Sequence, residues 1–212
     1  MKYSLLSILL LFVTSLHATH YSYTNGVVEN GDFNVDREVK QGSNYIEVTY
    51  RFGGFTVEKT TIGGKDLHSI RINSIPVVGE KGNPELPAIT DLLSVASSNV
   101  KVEVVNQTFK EYKTFYIAPS KGAICQSETE VSDSLVFSDI YNKNAYFPEN
   151  GANLLTVQSY RSYPFASVRL NPIQFNPVTK TIKCYTEITY RLSWIKSDFH
   201  SEAAIAGDEN LP

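Results

Sequence analysis

Cysteine, histidine and net charge are all scarce in this chain, and each scarcity removes a class of function. Two cysteines in 212 residues, Cys125 and Cys184, are too few for a disulfide scaffold. The four histidines, His17, His20, His68 and His200, are scattered, three of them near the ends. No cysteine stands in sequence beside a histidine as an activated nucleophile would need. His68 aligns with Ile70 and Ile72 and reads as a histidine at the edge of a core. A formal charge of −3 with no cluster of lysine or arginine excludes a nucleic-acid surface. The carboxylates Asp32, Asp36, Glu128, Glu130, Asp133 and Asp139 fit no calcium loop, and no glycine-rich turn opens a helix to cradle phosphate. No catalytic residues, metal site or cofactor site are expected.

The chain also lacks an apolar repeat of helical period; it has strands. Hydrophobic residues make up 42% and aromatic residues 12%, with 13 tyrosines. A single domain of this size buries roughly 70% of its unfolded-chain surface and needs neither metal nor disulfide. Ile46, Val48, Tyr50 and Phe52 alternate with Glu47, Thr49 and Arg51, the period of a half-buried strand. Further strands are expected at Phe55–Ile62, Leu67–Ile72, Leu92–Ala96, Val100–Val105, Phe109–Ile117, Leu154–Tyr160, Pro164–Leu170, Ile173–Phe175 and Thr181–Trp194. Between them, Val77–Pro87 holds two prolines and two glycines and is no central strand. Short strands separated by turns specify an all-β protein, an antiparallel β-sandwich of one domain. Residues 44–194 form that sandwich, 19–43 an N-terminal arm or short hairpin, and 195–212 a polar linker or tail.

Residues 1–18 read as a cleaved signal peptide: Lys2, the apolar run Leu5–Val13, and Ala18 at the cut. The run is well short of the ~20 residues that span a bilayer. An exported chain with two cysteines invites a disulfide, worth about 4 kcal/mol for a loop of this length. Cys184, however, falls in the alternating set Ile182, Cys184, Thr186, Ile188, Tyr190, Leu192 and Trp194, which looks core-facing, whereas Cys125 falls on a loop. Two free thiols are the favoured reading. Asn106-Gln-Thr108 fits a glycosylation sequon, a pattern common by chance.

That loop organises the rest. Phe115-Tyr-Ile-Ala-Pro-Ser-Lys-Gly-Ala-Ile-Cys-Gln126 starts as strand and breaks at Pro119-Ser-Lys-Gly122, where proline fixes φ and glycine admits positive φ. A polar run, Ser127–Ser134, follows. A small apolar segment is thereby projected from a sheet, the kind of loop on which function sits.

Several collinear blocks resemble a known family: Glu80-Lys-Gly-Asn-Pro-Glu-Leu-Pro87, Val100–Val105, Ile117–Gly122, Tyr146-Phe-Pro148, Gln174–Thr181 and Tyr185–Ile188. Across roughly Phe52–Leu192 the chain is similar to the N-terminal prodomain of gingipains, secreted cysteine peptidases of caspase-like fold. The resemblance implies a propeptide that assists folding of a peptidase domain, in cis or in trans, and keeps it latent through a substrate-like loop. It implies an inhibitory loop at Lys121, Gly122, Ala123, Ile124, Cys125 and Gln126. In arginine-specific members an arginine fills the specificity pocket, and the matching position here is Gln126. A neutral side chain leaves a pocket built for guanidinium poorly compensated. Either the cognate peptidase prefers another residue, which is favoured, or Lys121 reaches the pocket, or residue 126 is an ordinary loop residue and inhibition rests on the sandwich surface. The rival reading is an exported adhesion or carbohydrate-binding sandwich, which an exposed row of aromatics on one sheet face would favour.

Overall fold

In the computed structural model, residues 18–62, 64–122, 135–160 and 163–195 are described. In chain order the strands are β1 (Ala18–Ser22), β2 (Gly26–Val28), β3 (Val35–Gln41), β4 (Tyr45–Phe52), β5 (Gly54–Ile62), β6 (Lys65–Arg71), β7 (Val77–Val78), β8 (Leu86–Pro87), β9 (Ile89–Ser94), β10 (Val100–Lys113), β11 (Ala152–Tyr160), β12 (Tyr163–Leu170), β13 (Ile173–Asn176) and β14 (Thr181–Trp194). One 3-10 turn, Asp139–Asn142, is the only helical element among the described residues. All strand pairings are antiparallel.

The central sheet runs β10-β14-β4-β3, with β13 also on β14. A sheet ordered β2-β1-β5-β6 and another ordered β11-β12-β9 complete the architecture, with a short β7-β8 ladder. On β4 the expected alternation holds: Ile46, Val48, Tyr50 and Phe52 are buried. Its opposite face is polar, where Arg51 bridges Glu187 at 2.7 Å and Glu38 at 3.2 Å, and Arg191 bridges Glu47 at 2.6 Å.

The long strand β14 does not keep one core face. Its partner register passes from Thr108–Glu187 to Phe109–Tyr185, so Thr186 is an extra residue, a β-bulge. One extra residue reverses the alternation beyond it. Cys184 therefore faces the sheet carrying β1 and β5, next to Tyr23, and burial pushes its thiol pKa well up. Tyr190, past the bulge, reaches Asp91 on β9 of the other sheet. The seven-residue set read as one face is thus split in two, and both halves are core: Ile182, Cys184, Ile188, Tyr190 and Leu192 are all buried. A second bulge, at Val105, merges the two strands expected at Val100–Val105 and Phe109–Ile117 into β10. That strand ends at Lys113, where Thr114 adopts φ 73.

Asp91 ties the layers together. Its carboxylate accepts bonds from the hydroxyls of Tyr50, at 2.9 Å, and Tyr190, and from Arg37 Nε at 3.2 Å. Four strands, β3, β4, β9 and β14, meet at this buried carboxylate.

The segment 19–43, read as an arm or hairpin, contributes a β1-β2 hairpin and strand β3, which pairs with β4 along its whole length. The alternation of β3 is weak because it is a sheet edge, exposed at Asp36, Arg37, Val39, Lys40 and Gln41. Of the expected leader, 1–18, residues 1–17 lie outside the described residues and Ala18 opens β1; most of the tail, 196–212, lies outside them as well. Cys184 is a free thiol; Cys125 lies outside the described residues.

Candidate functional site: the stem of the projecting loop

The two arms that bound residues 123–134 are held by the sandwich in different ways. The outgoing arm, Phe115–Gly122, is no longer a ladder strand; it lies between β6 and the turn Gly79–Glu85. Ile117 is fully buried and Pro119 and Ser120 are buried, whereas Lys121 is exposed. On the β6 side, His68 N–H donates to the Tyr116 carbonyl at 2.8 Å and Ala118 N–H to the His68 carbonyl at 3.0 Å. On the other side, Glu85 N–H donates to Ala118 O at 3.1 Å, Ser120 N–H to Asn83 O at 2.8 Å, and Gly82 N–H to Ser120 O at 2.9 Å. The Ser120 hydroxyl donates to Gly79 O at 3.0 Å and accepts from Gly122 N–H at 3.1 Å.

His68 contributes its ring as well. Tyr116 N–H donates to His68 Nδ1 at 3.1 Å. The Tyr116 carbonyl is also near that nitrogen, at 3.4 Å, but already accepts the stronger bond from the His68 backbone. The ring is therefore the acceptor, with its proton on Nε2. Burial lowers its pKa from the ordinary histidine value, against the opposing pull of the Tyr116 backbone.

The returning arm is held mainly by aromatic packing. Phe137 meets Tyr141 edge-on with centroids 4.8 Å apart, and Tyr116 packs on Tyr141 at 5.6 Å. Phe175 lies 6.2 Å from both Tyr116 and Tyr141. Pairs at such spacing and tilt are favourable beyond the area they bury. The Tyr141 hydroxyl donates to the Ile117 carbonyl at 2.9 Å, joining the two arms. Burial raises the Tyr141 pKa well above the ordinary phenol value, so it is a fixed donor. Lys65 Nζ sits 5.0 Å from the Phe137 ring centroid and Lys180 Nζ 5.8 Å from that of Tyr116. Ser138 N–H donates to Gly82 O at 2.9 Å.

Of the expected loop residues, Lys121 and Gly122 stand at the end of the outgoing arm, Gly122 at φ +79. Ala123, Ile124, Cys125 and Gln126 lie outside the described residues. Reading the sequence alone missed the support: Gly82, Asn83, His68, Phe137 and Tyr141. The only signal for them was the crowding of Gly79, Gly82, Pro84 and Pro87, which marked the turn but not what it touches. Among the described residues, no group of three His, Cys, Asp or Glu stands close enough to hold a metal.

A family model for Propeptide_C25 matches residues 29–206. The chain belongs to the Propeptide_C25 family. Among curated relatives, Gingipain R2 of Porphyromonas gingivalis is 39% identical over 117 residues, covering 55% of this chain and 16% of that protein. Gingipain R1 of the same species is 40% identical over 117 residues, covering 55% and 12%. The chain thus spans about a sixth or less of these relatives. Among solved structures, the complex of Porphyromonas gingivalis RgpB pro- and mature domains aligns at TM-score 0.70 and 30% identity, covering 76% of this chain and 85% of that one. A structure addressing zymogenic latency of gingipain K from Porphyromonas gingivalis aligns at TM-score 0.66 over 85% of this chain and all of that one. At 16% identity it shows the shared fold alone. The antiparallel architecture and the gingipain-propeptide resemblance of the sequence blocks agree with the Propeptide_C25 assignment.

Proposed function

We propose that this propeptide keeps a gingipain-like cysteine peptidase domain latent by presenting Lys121–Gln126 to its cleft as a substrate-like loop, and that the sandwich assists that domain's folding. One observation carries the reading: in a Propeptide_C25 chain, both arms that bound residues 123–134 are hydrogen-bonded to one turn, Gly79–Glu85. Arms held this way have little freedom left to lose on binding, which lowers the cost of presenting the segment between them. The similar RgpB structure, which pairs pro- and mature domains, supports a peptidase partner. Export by a cleaved leader and a caspase-like fold for the partner follow from the gingipain resemblance and belong to the same proposal. So does the assignment of catalysis to the partner domain and not to this chain.

The interface is expected to be of standard size, roughly 800 Å² on this side. With Gln126 at the matched position, the cognate peptidase is expected to accept a neutral side chain there; Lys121, exposed at the end of the outgoing arm, is the other candidate. The adhesion reading gains nothing from the structure. Among the residues whose burial is described, Phe109 is the one exposed aromatic, and an exposed row for stacking is not seen among them.

The test adds the purified chain, Thr19–Pro212, to the matching mature peptidase. Inhibition at or below micromolar concentration is expected, and unchanged activity at micromolar excess rejects the proposal. Against an arginine-specific peptidase, Gln126→Arg is expected to tighten inhibition. No gain would remove residue 126 from the pocket.

A further inference from the structure

We infer that Gly82 is the positioning residue of the inhibitory loop: by bonding both arms at once it sets the separation and direction at which the chain leaves and rejoins the sandwich. This rests on the function proposed above. Gly82 N–H donates to Ser120 O, and Gly82 O accepts from Ser138 N–H, each at 2.9 Å. One peptide-wide residue therefore spans from the outgoing arm to the returning arm.

Two features make glycine necessary there. Gly82 is buried and holds φ +87, a conformation that L side chains rarely adopt. A Cβ at this position would stand 3.3 Å from Ser138 N, 3.5 Å from Val136 O and 3.6 Å from Ser138 Cβ, all on the returning arm. A Cβ there is tight only against Ser138 N, so the returning arm would have to give slightly, and the positive φ is the larger obstacle.

The two bonds do not carry equal weight. The outgoing arm is over-determined, since Ala118 O and both the N–H and the hydroxyl of Ser120 are also bonded to the 79–85 turn. The returning arm meets that turn through Ser138 N–H and Gly82 O. Its remaining support is the Phe137 and Tyr141 packing and the Tyr141 hydroxyl bond to Ile117 O, a bond that lies further along both arms from residues 123–134 than Ser138 and Ser120 do. The spacing at the base of the loop is thus decided at Gly82–Ser138. Nothing else of Gly82 is used: it has no side chain to meet a substrate or a cleft, so its effect on inhibition is indirect, through the arms.

Ser138→Pro is the sharper test. Ser138 already holds φ −75 and ψ 169, within proline's range, so the substitution is locally unstrained. It deletes the N–H and puts the ring where the proton pointed at Gly82 O. Gly82→Ala is the companion variant. In each, the inhibition constant against the mature peptidase is expected to rise about tenfold, the equivalent of roughly one good hydrogen bond. The fluorescence midpoint in urea of Trp194, the sole tryptophan, is expected to fall for Ser138→Pro by no more than the loss of one hydrogen bond implies, so that the variant is still folded in the inhibition assay. Residues 123–134 are expected to be cut several-fold faster by a non-specific protease. Wild-type inhibition constants in both variants would overturn the assignment. If the wild-type chain does not inhibit at all, the functional proposal fails by itself. The positioning role is then decided by the cutting rate, and an unchanged rate in both variants rejects it.

Discussion

Two regions of this molecule join distant parts of the chain, and they do it with opposite chemistry. At Asp91 a buried carboxylate gathers Arg37, Tyr50 and Tyr190 from three other strands. At the loop stem, backbone groups of β6 and the 79–85 turn hold one arm, while Phe137 and Tyr141 pack the other. The first is a hub: removing its centre strands several donors at once. The second is distributed on its outgoing arm, where the loss of one bond leaves the others in place, and rests on fewer directional contacts on its returning arm. A hub suits the junction of two sheets, where a single arrangement must be enforced. A distributed stem keeps the two arms in place by many weak contacts instead of one centre.

Breaking the hub should give the largest effect. Asp91→Ala leaves the buried hydroxyls of Tyr50 and Tyr190 without their acceptor and a half-exposed Arg37 guanidinium with only the Tyr50 oxygen, and is expected to cost about 3 kcal/mol in urea unfolding. Inhibition should persist wherever the chain remains folded. A cost below about 1 kcal/mol would mean that water replaces the carboxylate there.

Next in size is Tyr141→Phe, which keeps the aromatic packing but leaves the Ile117 carbonyl without its phenol donor. Urea unfolding should show a loss of about 1 kcal/mol, with a further loss of inhibition. A stability change without any change in inhibition would detach Tyr141 from the site.

A smaller effect is expected from pH. His68 has a lowered pKa in the folded chain, so the unfolded chain binds a proton at higher pH than the folded one. Its contribution is fully present above the ordinary histidine value of about 6.5 and is lost as pH falls below it towards the folded pKa. Protonation puts a proton on Nδ1 facing the Tyr116 N–H, with Lys59 opposing and Asp66 favouring the charge. His68→Asn, which keeps an acceptor without titrating, should flatten the urea midpoint between pH 7 and 5. An equal slope in both proteins would place the titration elsewhere.

The smallest effect belongs to the outer face of the central sheet. Arg51 pairs with Glu187 and Glu38 in full solvent, and exposed pairs contribute little. Arg51→Ala should leave the urea midpoint and the inhibition constant unchanged within error; a clear loss would make this ladder a third structural region.

How far these regions were legible differs in an instructive way. Strand β14 was readable to the residue, because fourteen residues of β-forming chain follow a proline turn at Asn176–Lys180. Strand β3 was not, because Asp36, Arg37, Glu38 and Lys40 carry no alternating apolar signal and become a strand only by pairing with β4. The outgoing arm was recognisable from Pro119-Ser-Lys-Gly122 and from the family blocks around it. Its support was invisible, since the partners of Ser120 lie some forty positions upstream, at Gly79, Gly82 and Asn83.

What the sequence determined by itself was local or patterned: β period, turn chemistry and the collinear blocks that mark a propeptide. The tertiary structure decided which face each half of β14 buries, because a single bulged residue at Thr186 reverses an alternation that reads as continuous. It also decided what Phe115–Gly122 is. A stretch that reads as strand running into a turn became one arm of a clamped stem. Hydrogen bonds to β6 and to Gly82 come from residues distant in the chain, and no local pattern encodes the pairing.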